Sequence, residues 1–273
     1  MKKNKSLLLS TPYILWMLVF TLIPLGVVAY YALTDPDTGT FTWSNIQDLW
    51  MFLPTLGISV WYSLISALIC LLLGYPVAYF IAHRSPVMQK ILYMLVMLPM
   101  CMSFLLRTLA WVGLLETNGI INRFLGLAGI GPLNMIGTAG AVILGMVYNY
   151  LPYMILPLYA IIVKIDNRLI EAAEDLGCPP AKVFSKVVLP LSMPGILSGI
   201  TMVFVPAVST FYISQKLGGT NTMLIGDVIE RQFKSAGNPN LGAALSLVLM
   251  LLVFVCTGIM NRFGSDEEGG VVV

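Results

Sequence analysis

Residues 171–196 read EAAEDLGCPPAKVFSKVVLPLSMPGI, a polar, charged passage inside an otherwise apolar chain. Just before it, Asp166 or Asn167 can cap a helix, since a short oxygen-bearing side chain satisfies the free N–H groups of a first turn. Ile170, Ala173 and Leu176 recur at a spacing of three and give that helix one narrow apolar stripe, with Glu171, Glu174 and Asp175 turned away. Gly177 supplies the left-handed residue that ends the helix, and Pro179-Pro180 start a second one. That second helix, AKVFSKVVL, sets Val183, Phe184 and Val187 on one side and Lys182 and Lys186 on another, until Pro190 stops it. Residues 164–190 are therefore expected to form a helix-turn-helix hairpin, with Ala172 and Ala173 small enough to admit a partner's backbone.

The surroundings say what the hairpin projects from. Of 273 residues, 58% are hydrophobic and 10% charged, against about a quarter charged in soluble domains. Stretches near 12–33, 55–82, 91–115, 139–163, 191–213 and 241–261 are long enough to cross a hydrocarbon core as helices. The expectation is an all-α integral membrane protein with about six transmembrane helices, the Pro- and Gly-rich fifth being the one most prone to bend. The basic N-terminus resembles a signal peptide, but its apolar stretch outruns a signal's usual length, which predicts an uncleaved first span.

Ten Lys and Arg fall in the loops on the hairpin side (Lys2, Lys3, Lys5, Arg84, Lys90, Lys164, Arg168, Lys182, Lys186, Arg262) and four on the other (Arg123, Lys216, Arg231, Lys234). The positive-inside tendency then puts both termini and the hairpin in the cytoplasm, with 262–273 as a cytoplasmic tail expected to be disordered. On the outer side, residues 116–137 hold a short amphipathic piece, and LIGDVIERQF sets Asp227 and Glu230 one turn apart as candidate contacts for an external partner. A formal charge of +2 gives no reason to expect a nucleic-acid partner. The lone His83 and the scattered Cys70, Cys101, Cys178 and Cys256 form no metal or redox spacing, and no GxxxxGK[ST] is present. The spans also lack the paired carboxylates, histidine cluster or Ser-His pair that an intramembrane enzyme needs, and a passive channel has no use for a docking hairpin.

Arg107 is the one charge expected inside a span. A central arginine costs about +2.5 to +3.5 kcal/mol on insertion scales, so it should pair, with Glu116 as a candidate, snorkel to the outer boundary, or face a cavity. The structural role is preferred to substrate contact. The spans are rich in tyrosine, namely Tyr148, Tyr150, Tyr153, Tyr159 and Tyr212, whose ring faces attract ammonium groups by about 0.5–2 kcal/mol. Tyr148, Asn149, Tyr153, Ser209, Thr210 and Tyr212 are the candidate substrate pathway, although each tyrosine can equally serve helix packing.

The order Glu-Ala-Ala, three residues, Gly, nine residues, an aliphatic residue, any residue, Leu-Pro is met by Glu171-Ala172-Ala173, Gly177, Val187 and Leu189-Pro190. It resembles the EAA loop of permease subunits in bacterial ABC importers, with valine where isoleucine is commoner. GYPVAYFIA (74–82), RTLAWVGLLETNGIIN (107–122), YNYLPYMILPLY (148–159) and GGTNTMLIGDVIERQF (218–233) are similar to the B-type permease of spermidine/putrescine importers. The resemblance implies a type I ABC importer permease fold, with 1–273 as a single permease domain in the bacterial inner membrane. It also implies a hairpin docked on an ATPase subunit: Ala172 and Ala173 at the close contact, Glu171 as a polar anchor, Gly177 as the turn. The implied partners are two ATPase subunits, which use ATP and Mg, a second related permease and an external polyamine-binding protein. This chain would itself bind no cofactor and catalyse no reaction. The rival is the same fold carrying another small solute, an anion in view of Arg107.

Overall fold

The computed structural model describes residues 12–13, 15–35, 38–219 and 222–268, apart from the side chains of 261 and 263–268. Apart from an isolated bridge between Thr34 and Phe41, the regular structure described is helical. The first helix, α1, is Leu15–Ala32; α2 is Leu53–Ala82. A short α3, Pro86–Met97, precedes α4, Phe104–Leu115, and α5, Ile120–Leu127. The long α6 is Ala139–Ile162. The hairpin consists of α7, Asn167–Asp175, and α8, Pro180–Leu191, which bends by 64° into α9, Met193–Val208. The last two are α10, Ile225–Lys234, and α11, Pro239–Glu268. Five helical segments among the described residues are long and apolar enough to cross a membrane, and the bent α8–α9 pair brings the number to six.

Three expectations need correcting. The span expected at 91–115 is two pieces, because the helix tightens to 3₁₀ over Leu98–Cys101 and opens at Met102 and Ser103 before α4. Pro99, lacking an N–H, starts that tightening, and Cys101 is left exposed. Pro190 does not stop the second hairpin helix. The π turn Phe184–Val188 has already shifted the hydrogen-bond ladder, so Pro190 sits at the start of a fresh turn and the break falls at Ser192. The tail is not irregular throughout, since α11 continues to Glu268; residues 269–273, like Lys2, Lys3 and Lys5, lie outside the described residues.

The chain clusters into two compact units, Met1–Pro54 with Val228–Leu252 and Thr55–Asp227 with Val253–Val273. The first has a small core of Ala32, Ala243 and Ala244, ringed by Val28, Leu49 and Leu247. There the carbonyls at the end of α1 need partners, and asparagines supply them. Asn45 Nδ2 donates to Ala32 O (3.2 Å) and Thr34 O (2.9 Å), and Asn240 Nδ2 also donates to Thr34 O.

In the second unit α6 is the hub, and glycines set how close its neighbours come. A Cβ on Gly199 of α9 would lie 2.6 Å from Met154 Sδ, and one on Gly74 of α2 would lie 3.1 Å from Met154 Cγ. Helices in lipid gain no hydrophobic drive by associating, so close backbone approach and the dispersion contact it allows must hold them. Gly199→Val should therefore destabilise the protein by about 1–3 kcal/mol, lowering its melting temperature in detergent, whereas Gly258→Ala, with nothing within 4 Å of the new methyl, should leave it unchanged.

Candidate functional site

The hairpin is built from the caps its sequence offers. Asp166 Oδ1 accepts the Arg168 N–H at 3.0 Å and starts α7. At the other end Gly177 takes φ +78°, its N–H donating to Glu174 O (2.8 Å) while Cys178 N–H donates to Ala173 O (3.1 Å). That paired closure is a Schellman turn, which wants a left-handed residue at its centre. Space is not the constraint, since a Cβ on Gly177 would meet nothing within 4 Å. Glu171 and Ala172 are exposed and Ala173 is half-buried. The expected apolar stripe is shorter than its spacing suggested: Ile170 and Ala173 turn inward, but Leu176, in the turn beyond α7, is 85% exposed at the tip. In α8 the buried positions are Val183 and Val188, five apart, as the π turn requires; Val187 and Leu189 are half-buried and Pro190 is exposed.

A partly exposed aromatic cluster joins the root of the hairpin to α2. The Phe184 ring meets Tyr75 edge-on at 5.5 Å and Tyr79 at 6.0 Å, both on α2. Ser192, fully buried at the bend, donates to Leu189 O at 2.9 Å, so its Oγ is free to accept the Tyr75 hydroxyl at 2.8 Å. Sequence reasoning put Phe184 on the apolar side of the second helix but did not single out its partners Tyr75 and Tyr79, or Ser192. The signal available was the pair of tyrosines four apart in GYPVAYFIA, one helical turn on the same face.

The candidate pathway residues divide. Arg107 is only 6% exposed, and its Nε and Nη1 meet no acceptor among the described residues. It neither snorkels nor pairs with Glu116, because α4 turns it toward the bundle. Tyr150 lies within electrostatic range of Arg107 and Tyr153 and beside Thr210. Its hydroxyl donates to Pro206 O at 3.2 Å. Helix α9 frees that carbonyl as it ends, where Thr210 N–H bonds to Ala207 O instead. Asn149 is 1% exposed, its Nδ2 returning to Gly145 O at 2.9 Å while Oδ1 meets no donor among the described residues. Tyr148 packs edge-on against Trp111 at 5.2 Å, and Tyr212 carries Lys216 Nζ 5.8 Å over its ring. Ser209 is exposed, Thr210 buried, and Tyr159 is drawn away to Gln89 Oε1 at 3.2 Å.

Asp227, expected on the outer surface, is 4% exposed. Its Oδ2 accepts Leu224 N–H at 2.8 Å while Ser59 Oγ accepts Ile225 N–H at 2.7 Å, so the carboxylate and the serine together start α10. Glu230 stays near the surface, bridged to Lys234 at 2.7 Å. No group of three or more His, Cys, Asp or Glu converges as a metal site among the described residues.

This bent-helix architecture is that of a type I ABC-transporter permease. It superimposes on a bacterial ABC transporter involved in the import of the acidic polysaccharide alginate with a TM-score of 0.81, at 18% identity and over 97% of this chain and 96% of the other. The MetNI methionine ABC transporter gives 0.61, at 18% identity over 81% and 97%. Residues 71–266 match the family described as the binding-protein-dependent transport system inner membrane component, and the chain belongs to that family as a multi-pass membrane protein. Among its relatives is the spermidine/putrescine transport system permease protein PotB of Haemophilus influenzae, 40% identical over 255 residues and 88% of each chain. PotB of Escherichia coli is 36% identical over 247 residues, 87% of this chain and 90% of that one.

If the Tyr75–Ser192 bond carries the attachment, Tyr75→Phe and Ser192→Ala should each lower stability by about 1 kcal/mol, and the double variant should lose less than the sum of the two. Denaturation of the three variants in detergent checks this.

Proposed function

We propose that the chain is one of two related permease subunits in an ATP-driven importer of polyamines, with residues 1–273 forming one permease domain whose termini and hairpin face the cytoplasm. The observation that carries the cargo is the 40% identity over 88% of the chain to a spermidine/putrescine permease. The hairpin's form supports the coupling role. Its tip offers a partner Ala172, Glu171 and the outward Leu176, an apolar knob beside small residues, as a groove on an ATPase subunit would need. ATP and Mg belong to two such subunits. A binding protein delivers the cargo on the opposite side, where Glu230 is the remaining candidate contact.

Force enters at the tip and leaves at the root. Phe184 meets Tyr75 and Tyr79 edge-on, and Ser192 is bonded to Tyr75, so moving the hairpin moves α2 and α9 with it. Those helices flank α6, which carries Tyr148, Asn149 and Tyr153, and α9 ends at Ser209 and Thr210, just before Tyr212. Ring faces worth about 0.5–2 kcal/mol to an ammonium guide a cation without trapping it.

Arg107 favours a second reading. A buried guanidinium with two nitrogens lacking acceptors among the described residues repels a polycation and suits an anionic solute, unless groups outside this chain neutralise it. Uptake by the complete transporter in vesicles separates the readings. The polyamine reading expects spermidine and putrescine, but not small anions, to compete, and Arg107→Gln to keep uptake. The anion reading expects that variant to lose about tenfold or more, the worth of a charged hydrogen bond.

Gly177→Val forces a β-branched residue to positive φ and should leave the protein in the membrane while uncoupling ATP hydrolysis from uptake. Measuring both activities in vesicles decides it, and normal coupling in that variant refutes the hairpin's role.

A further inference from the structure

At the root of the hairpin, where α2 and α6 end, lies a cavity of about 270 Å³. One side is the α2–α3 turn with His83, Arg84 and Gln89; the other is Ile162 at the end of α6 with Asn167 and Ile170 of α7. Gln89 ties the turn down. Its Nε2 donates to Ala82 O (2.8 Å) and Arg84 O (2.9 Å), and its Oε1 accepts the Tyr159 hydroxyl of α6 at 3.2 Å. The cavity is thus bounded by a braced wall, where an untethered loop would let it collapse.

Its chemistry is one-sided. No carboxylate lines it among the described residues. The Arg84 guanidinium lies 3.9 Å over the Phe80 ring, a face contact that leaves its in-plane N–H groups available. His83 commits Nδ1–H to Tyr79 O at 2.9 Å, which leaves Nε2 uncommitted. The same lining includes the apolar Ile162 and Ile170. A cationic, half-apolar hollow at the end of two membrane-spanning helices matches an amphiphile whose head carries a phosphate.

We propose that this cavity binds the phosphate headgroup of an anionic membrane lipid. Arg84 is the principal anion partner, Asn167 a neutral contact, and the glycerol carbons rest on Ile162 and Ile170. The bound headgroup braces the hairpin's root against α2 and α6 and so stiffens the transmission of force. Lipid binding itself is independent of the transporter reading; only its effect on ATP hydrolysis rests on that reading.

Two measurements keep these apart. The first is native mass spectrometry of the full-length purified chain in detergent with added phosphatidylglycerol. One phosphatidylglycerol should be retained, and retention should weaken about tenfold or more in Arg84→Gln, persist in part in Arg84→Lys, and be unchanged in Lys90→Gln, which removes an exposed charge nearby that does not line the cavity. Equal retention by Arg84→Gln and the parent chain overturns the proposal. The second is ATP hydrolysis by the complete transporter in nanodiscs of phosphatidylcholine alone, with phosphatidylglycerol, or with inorganic phosphate in solution. Stimulation by phosphatidylglycerol that Arg84→Gln abolishes supports the bracing role, no stimulation overturns it, and equal stimulation by inorganic phosphate overturns the lipid as the source.

Discussion

The proposed coupling role requires a stiff elbow at Ser192, and the hydroxyl of Tyr75 is the group bonded to it. A 64° bend between two helices is a candidate hinge, because Pro190 and Pro194 on either side of it have no N–H to give to the ladder. At this bend Ser192 satisfies Leu189 O on one side and accepts Tyr75 on the other, in a site from which water is excluded. The net worth of one such bond is about 0.5–1.5 kcal/mol, and each edge-on ring contact of Phe184 contributes a similar amount. These are modest numbers, and they add to the burial of Val183 and Val188 at the same root.

That elbow is useful because the helices on either side of it are packed without slack. The glycines of α2 and α9 bring both backbones down onto Met154, so a displacement at the root is carried into α6 by hard contact. Met154 suits the middle position, its unbranched side chain filling an irregular gap between two close backbones. On the proposed reading, that displacement reaches the stretch of α6 that holds Asn149, whose Oδ1 meets no donor among the described residues.

Much of this was legible in the sequence, and for physical reasons. Length and apolarity alone mark the spans, because lipid imposes both. Asp166, Gly177 and Pro180 mark the hairpin's ends because capping is local chemistry, and each does what its residue type suggests. What was not legible depends on distant neighbours. A π turn in AKVFSKVVL has no sequence signature, so the inward face of α8 could not be read from a regular spacing. Leu176 counts as part of an apolar stripe until the Schellman turn rotates it outward. Asp227 reads as a surface charge until Ser59, far off in the chain, packs beside it to start α10. Arg107 invited a search for a nearby carboxylate, and its direction was set by the packing of α4 on α6.

The most direct test of the central claim is the distance between spin labels placed on Val77 of α2 and Lys182 of α8, measured by pulsed electron paramagnetic resonance in the complete transporter at rest and trapped during ATP hydrolysis. A stiff elbow predicts one narrow distance that is the same in both states. A distribution that broadens or shifts on trapping would mean that the hairpin swings independently of the span, which contradicts force passing through a rigid root.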